Sequence, residues 1–181
     1  MEALGMIELN SISQGILAAD AVLKAANVEI MRAQPVCPGK YVVIVSGGVA
    51  DVKAAIAAGA AAAGEFLIDS ILIPRVHEDV IRAMNGCVDL VGVAALGVIE
   101  TFSLAQALLS ADAAVKSADV SLMEIRLGTG IGGKSFVLLT GSVSSAQAAV
   151  NAAKNERDAE GMIANTVVIP SPHADLAAAL Q

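Results

Sequence analysis

One segment of the chain carries the residue types and spacing of a phosphate-binding loop. Residues 128–135 read GTGIGGKS, which matches GxxxxGK[ST], a loop whose backbone amides hold nucleotide phosphates. That chemistry requires a helix to begin at the Lys-Ser pair, so that its first amides face the phosphates. Here Lys134 is followed by SFVLLTG, which is typical of a strand that ends in a turn. We interpret the segment as a glycine loop between two strands; a P-loop nucleotide-binding protein stays an alternative, which nucleotide binding dependent on Lys134 would revive.

Two histidines and two glutamates could serve acid–base catalysis, but their arrangement argues against it. His77 and His173 occupy matching positions at the start of short predicted helices, and Glu8 and Glu100 lie inside predicted strands. A catalytic residue is rarely repeated so symmetrically within one chain. We expect the histidines to cap helices or contact other subunits, and the glutamates to accept structural hydrogen bonds. Since no Ser/His/Asp or Cys/His order typical of nucleophilic catalysis stands out either, we expect no enzyme.

The two cysteines, Cys37 and Cys87, are too few for a disulfide framework, which favours a reducing cytoplasm. Cys37 lies between Pro35 and Pro38, and proline restricts the backbone on both sides of the thiol. Taken alone, a single cysteine is expected to be a small buried apolar residue. The same interpretation holds for Cys87, which has no counterpart later in the chain.

The elements that carry these residues occur twice. Residues 4–31 align without a gap with residues 96–123, and many of the aligned residues are identical. Self-similarity of this kind indicates a tandem duplication, with predicted copies at 1–88 and 93–181. The identical pairs include charged residues, namely Glu8/Glu100, Asp20/Asp112 and Lys24/Lys116.

Composition limits the partners of the chain. At 56% hydrophobic and 16% charged residues, the 181-residue chain can bury a sizeable core, and its 2% aromatic content offers few stacking surfaces. A net charge of −7 disfavours nucleic acid. The apolar runs are too short or too often interrupted by polar residues to span a membrane, and the first residues lack the pattern of an export signal. We therefore expect a cytoplasmic protein without nucleic acid or membrane partners, whose apolar sides are buried against other subunits.

Each copy is predicted to be a mixed α/β unit. The order β-α-β-β-α-β with a terminal helix is that of a ferredoxin-like split βαβ fold, an α+β variant. The predicted elements of the first copy are a strand at 3–9, a helix capped by Ser11 or Ser13, strands at 28–32 and 41–45 joined by a loop at 35–39, a helix at 49–63, a strand at 67–73 and a short helix near His77.

These repeated segments resemble the bacterial microcompartment shell domain across the whole chain. LGMIE with AADAVLKAANV, the loop before GKY, GGVADVKAAIAAGAAAAGE and IPRVHEDV follow the pattern of that family in its unpermuted order. Two such domains in one chain imply a tandem-domain shell protein, three copies of which build a pseudohexameric, trimeric tile. The VCPGK and GIGGKS loops further resemble those of the iron–sulfur-carrying shell proteins of propanediol-utilisation compartments.

The resemblance implies a pore on the threefold axis, lined by the loop between the second and third strands of each copy. The implied cofactor is one 4Fe-4S cluster per trimer, ligated by Cys37 from three chains with one iron left to an outside ligand. Its implied role is electron transfer or redox sensing across the shell. A cluster-free shell protein, whose loops gate metabolite passage, stays an alternative. The implied pore residues are Val36, Cys37, Pro38, Gly39, Gly130, Ile131, Gly132 and Gly133.

The resemblance also implies contacts at the edge of the tile. Arg75 matches the arginine of the family's edge motif, whereas Ser171 stands in its place in the second copy. Because serine cannot make a forked hydrogen bond across a seam, alternate edges are expected to be chemically unequal. The implied location is the microcompartment shell, and the implied partners are other shell proteins and a redox protein inside or outside the compartment. The implied edge residues are Lys24, Arg75, His77, Lys116 and His173.

Overall fold

The computed structural model describes residues 3–88, 92–156 and 159–180. The chain divides into two compact units, Met1–Val76 and His77–Gln181. Each unit contains a four-stranded antiparallel sheet with two long helices packed against it. Within the described ranges, no helix is long and apolar enough to cross a membrane.

The first unit has the strand order β2-β3-β1-β4, which confirms the predicted ferredoxin-like split βαβ arrangement. The central strand, β1, is buried along its whole length. Ser11 caps α1 by accepting a hydrogen bond from the Gln14 amide at 3.4 Å, so the first of the two predicted caps is confirmed. The elements are β1 (Ala3–Leu9), α1 (Ile12–Ala25), β2 (Val28–Val36), β3 (Lys40–Gly47), α2 (Val49–Ala63) and β4 (Leu67–Ile73).

The second unit repeats this order as β6-β7-β5-β8. It also includes α3, which packs against β6 and α4 and whose residues Val80, Ala83 and Met84 are buried. The elements are α3 (Glu78–Met84), β5 (Ala95–Thr101), α4 (Leu104–Ser117), β6 (Val120–Leu127), β7 (Ser135–Gly141), α5 (Val143–Lys154), β8 (Ile163–Ile169) and α6 (Ala174–Ala179). The first compact unit therefore ends at Val76, whereas the sequence repeat predicts that the first copy ends at residue 88.

The second strand is longer than the sequence pattern predicts. The prediction ended it at Arg32, whereas β2 continues to Val36 and places Pro35 opposite Tyr41 of β3. Proline is tolerated there because β2 is an edge strand, where one side of the backbone needs no hydrogen-bond donor. The predicted loop at 35–39 is accordingly reduced to three residues.

Candidate functional site

The β2–β3 turn presents Cys37 at the surface. Val36 and Lys40 are paired across the two strands, so Cys37, Pro38 and Gly39 form the turn itself. The Cys37–Pro38 peptide bond is cis, and Gly39 has a φ of 79°, a left-handed conformation that costs glycine little. Val36 is buried while Cys37 is partly exposed. The turn therefore holds a free thiol at the tip of a hairpin with a buried base.

An ion pair that sequence analysis did not assign anchors the base of this hairpin. Lys40 Nζ donates a hydrogen bond to Oε1 of the buried Glu8 at 2.8 Å. The second carboxylate oxygen of Glu8 is buried and accepts no hydrogen bond from any described residue. In the second unit, Lys134 Nζ donates to Glu100 Oε1 at 2.9 Å. The prediction that both glutamates are structural acceptors is confirmed, and the recurrence of a Glu and a Lys in both copies was the signal that could have paired them.

The strand that leads into the Cys37 turn also carries a partly buried cation. Arg32 is paired with Ile44 of β3, and burial lowers the pKa of its guanidinium below its ordinary value. An arginine side chain keeps its charge at neutral pH after such a shift, because its ordinary pKa is so high. Arg32 therefore adds a permanent positive charge to β2.

The glycine-rich segment between β6 and β7 is a closed loop and does not bind phosphate in the manner of a P-loop. The Gly128 amide donates to the Lys134 carbonyl at 3.1 Å, and the Lys134 amide donates to the Ile131 carbonyl at 3.3 Å. Strand β7 begins at Ser135, whereas phosphate binding requires a helix there. The nucleotide-binding alternative is therefore wrong on structural grounds. Gly130, Ile131 and Gly132 are at least partly exposed at the tip of this loop, whereas Gly133 is buried.

Both histidines cap the helices that follow them, as the sequence predicted. His77 Nδ1 accepts a hydrogen bond from the Asp79 amide, and His173 Nδ1 accepts one from the Asp175 amide, both at 3.3 Å. The backbone amide of His77 makes a further contact, since it donates to Asp112 Oδ1 on α4 at 2.9 Å. His77 therefore ties the start of α3 to α4.

The other predicted edge residues lie on helices and on one tight turn. Lys24 pairs with Asp20 along α1, and Lys116 pairs with Asp112 along α4, each at 2.5 Å and four residues apart. Arg75 has a φ of 56°, which is uncommon for a residue with a side chain. The matching residue of the second copy is followed by a proline, which disfavours helical backbone angles before it. The two turns therefore differ in backbone as well as in side chain.

The two cysteines lie in different units. The prediction that Cys87 is a buried apolar residue is wrong: Cys87 is exposed, and its Sγ lies 3.6 Å from the Asn85 carbonyl oxygen, close to the end of α3. Within the described parts of the chain, no group of three or more His, Cys, Asp or Glu residues is placed to hold a metal ion. The β2–β3 turn therefore offers one soft donor, the thiol of Cys37.

The two compact units correspond to a known domain family. The family model described as "BMC domain" matches residues 3–76 and again residues 95–172. These two matches agree with the tandem duplication seen in the sequence.

Full-length similarity extends to named proteins and to solved structures. The chain is 38% identical to "Bacterial microcompartment shell protein PduT" of Citrobacter freundii, covering 97% of this chain and 95% of that protein. It is 30% identical to "Carboxysome assembly protein CcmO" of Synechococcus elongatus, covering 96% of this chain and 67% of that protein. A crystal structure of a microcompartment protein from Desulfitobacterium hafniense DCB matches with a TM-score of 0.91 at 48% identity, covering 97% of this chain and 98% of that one.

Proposed function

This chain belongs to the BMC-domain family of bacterial microcompartment shell proteins, and we propose that three copies form a pseudohexameric tile whose central pore holds an iron–sulfur cluster. Proteins of this family build shells and do not turn over substrates, so the chain is a structural protein and not an enzyme. The proposed cluster passes electrons across the shell or senses the redox state on one side of it.

The position of Cys37 carries the proposal. The thiol is partly exposed at the tip of a hairpin whose base is buried, and the neighbouring Pro38 and Gly39 add little side-chain bulk beside it. A thiolate is the donor that iron–sulfur clusters take in proteins. The Glu8–Lys40 ion pair fixes the start of β3, which gives the turn a rigid support.

The donor set fits a cluster that is shared between chains. A 4Fe-4S cluster normally takes four cysteine ligands, whereas one chain provides only Cys37 in this turn. A threefold axis supplies three equivalent Cys37 thiolates and leaves one iron to an outside ligand. When bound, such a cluster supplies one-electron transfer, and the chain's own contribution is to place the three sulfurs at the axis.

The stoichiometry of anaerobically reconstituted protein tests this proposal. We expect iron and sulfide to saturate at about four of each per three chains, the composition of a 4Fe-4S cluster. Cys37→Ser should remove the visible absorption of the cluster and leave the trimer intact, because a serine hydroxyl is a harder and poorer ligand for iron. Cys87→Ser is the matched control and should bind the full complement. Full iron and sulfide binding by Cys37→Ser would contradict the proposal.

The second loop supports an alternative in which the pore is open and carries no cluster. A side chain at Gly130 or Gly132 would meet no other atom within 4 Å, so these positions border open space. Three such loops around an axis leave room for small metabolites to pass. Wild-type protein that stays free of iron after anaerobic reconstitution would favour this gated pore.

The proposed tile lies in the shell of a cytoplasmic microcompartment. Other shell proteins contact its edges, and a redox protein inside or outside the compartment exchanges electrons with it. The lysines of α1 and α4 are available for edge contacts, since the side chain of Lys24 is 74% exposed and that of Lys116 is 41% exposed. Arg75 provides a forked donor at alternate edges. The histidines of the edge motif, His77 and His173, complete the proposed contact set.

A further inference from the structure

In the second unit the short helix α3 packs against the long helix α4. Because the sequence is duplicated, the repeat predicts an equivalent contact between α6 and α1. In the second unit α3 also packs against β6, and the His77 amide donates to Asp112 Oδ1 at 2.9 Å. The two helices also carry apolar residues that are fully buried in this unit, Val80 on α3 and Leu108 on α4. A carboxylate that accepts a backbone amide in such a setting forms a charge-assisted hydrogen bond.

The equivalent face of α1 is exposed within the part of the chain that the structure describes. Asp20 matches Asp112, but its side chain is 55% exposed, compared with 11% for Asp112. Its Oδ2 pairs with Lys24, whereas Oδ1 accepts no hydrogen bond from the residues that the structure describes. Ile16, which matches the buried Leu108, is 57% exposed. The first unit therefore exposes the carboxylate acceptor and the apolar surface, and among the described residues no short helix packs on them as α3 packs on α4.

The counterpart of α3 in the second copy is the helix α6, and it is exposed. Helix α6 follows His173 as α3 follows His77, with the same cap, but none of its residues is buried. Leu176 matches the fully buried Val80 and is 42% exposed. No described side chain accepts the backbone amide of His173. Two complementary surfaces are thus left open on one chain, and their counterparts are already joined to each other in the second unit.

We propose that these surfaces join neighbouring copies of this chain, so that Asp20 accepts a hydrogen bond from the backbone amide of the partner subunit's His173. In this seam the partner's α6 packs against α1 and covers Ile16, in the position that α3 takes against α4 in the second unit. The contact is heterologous, because it joins the end of one copy to the start of the next, and such contacts build a ring when the rotation between copies closes, as it does in the proposed trimer. The inference rests on the proposed trimer and assigns the side chains that hold it together.

The hydrogen bond is tested by Asp20→Ala, with Asp112→Ala as the matched control. Asp20→Ala should weaken association by about 10-fold or more for each seam, because a hydrogen bond to a charged group is lost. The protein concentration at which the trimer dissociates, followed by light scattering, should rise accordingly. Asp112→Ala removes the equivalent bond inside the chain, so its loss of stability should not depend on concentration. Asp20→Asn keeps an acceptor oxygen and should restore association.

The head-to-tail geometry is tested by mixing two variants. Ile16→Asp alters only the α1 surface and Leu176→Asp only the α6 surface; both residues are exposed in the chain, so each variant should keep the circular dichroism of the wild type. Each alone should be monomeric by light scattering, whereas a mixture should form a 1:1 heterodimer through its one intact seam. Single variants that remain trimeric, or a mixture that remains monomeric, would overturn the seam. A wild-type chain that is itself monomeric would instead overturn the proposed tile.

Discussion

Glu8 and Glu100 occupy equivalent positions in β1 and β5, yet their surroundings differ. The side chain of Glu8 is 1% exposed and that of Glu100 is 37% exposed. Each accepts a hydrogen bond from a lysine near the start of the next-but-one strand, Lys40 or Lys134. A buried carboxylate that loses its cation is left uncompensated, whereas a half-exposed one is hydrated by water. The same pair of residues therefore contributes unequally to the stability of the two units.

At the residue scale, we expect Lys40→Met to lower the free energy of unfolding by about 3–5 kcal/mol. Lys134→Met, the matched variant, should lower it by about 1 kcal/mol or less. Urea unfolding followed by circular dichroism at one fixed protein concentration measures both. Equal losses for the two variants would show that the burial of Glu8 does not decide the energetics of the pair.

At the scale of elements, the approach of α1 to β3 depends on one small residue. A Cβ at Gly15 would overlap the ring of the buried Tyr41. The second copy has Ala107 in place of Gly15 and Ser135 in place of Tyr41, so a larger helix residue accompanies a smaller strand residue. The two copies thus fill the same space between helix and strand with opposite distributions of volume.

We therefore expect Gly15→Ala to destabilise the protein by about 1–3 kcal/mol, the usual cost of overpacking. In a Tyr41→Ser background the same change should cost much less, because the ring that it meets is gone. Urea unfolding of the two single variants and the double variant gives the coupling free energy. Additive losses would mean that Gly15 and Tyr41 do not constrain each other.

At the scale of the whole molecule, two nearly equivalent repeats present unequal surfaces. One long helix, α4, is covered by α3, whereas the matching face of α1 is open among the described residues. The turn at Arg75 is left-handed, and its counterpart carries Ser171 before a proline. In the proposed tile these differences predict alternating edges, and each edge type is expected to contribute its own contacts to a shell facet.

We expect a substitution of Lys24 to affect the packing of tiles into sheets without affecting the assembly of the trimer. Lys24→Ala should weaken the formation of sheets seen by electron microscopy, because the exposed lysine stem is assigned to the outer edge. The trimer should persist by size-exclusion chromatography, since Asp20 keeps its acceptor oxygen for the seam. Lys53→Ala, an exposed lysine change on α2, is the control and should form normal sheets. Dissociation of the Lys24→Ala trimer would place the lysine at the chain–chain seam.

Much of the site could be predicted from the chain alone, because its signals are local. The hairpin around Cys37 is bounded by proline and glycine, and the histidine caps follow from their position before short helices. The end of β2 could not be predicted from the sequence. Pro35 indicates the end of a strand, except in a strand at the edge of a sheet, and the position of β2 in the sheet is known only from the structure. The recurrence of a Glu and a Lys in both copies is the one signal in the sequence for the Glu8–Lys40 pair, and the contact itself is made by the pairing of β1 with β3.

The sequence by itself determined the duplication, the order of the elements and the ferredoxin-like unit, because periodicity and turn residues act over short distances and recur in both copies; the shell-domain family followed from the resemblance of the repeated motifs. Only the tertiary structure decided which of two equivalent residues is buried. Glu8 and Glu100, or Asp20 and Asp112, are identical in type and in place along their elements, and their environments differ through packing partners that are distant in the chain. Burial is a property of the neighbours that fold onto a surface, and α3 folds onto α4 while α1 keeps the same surface open.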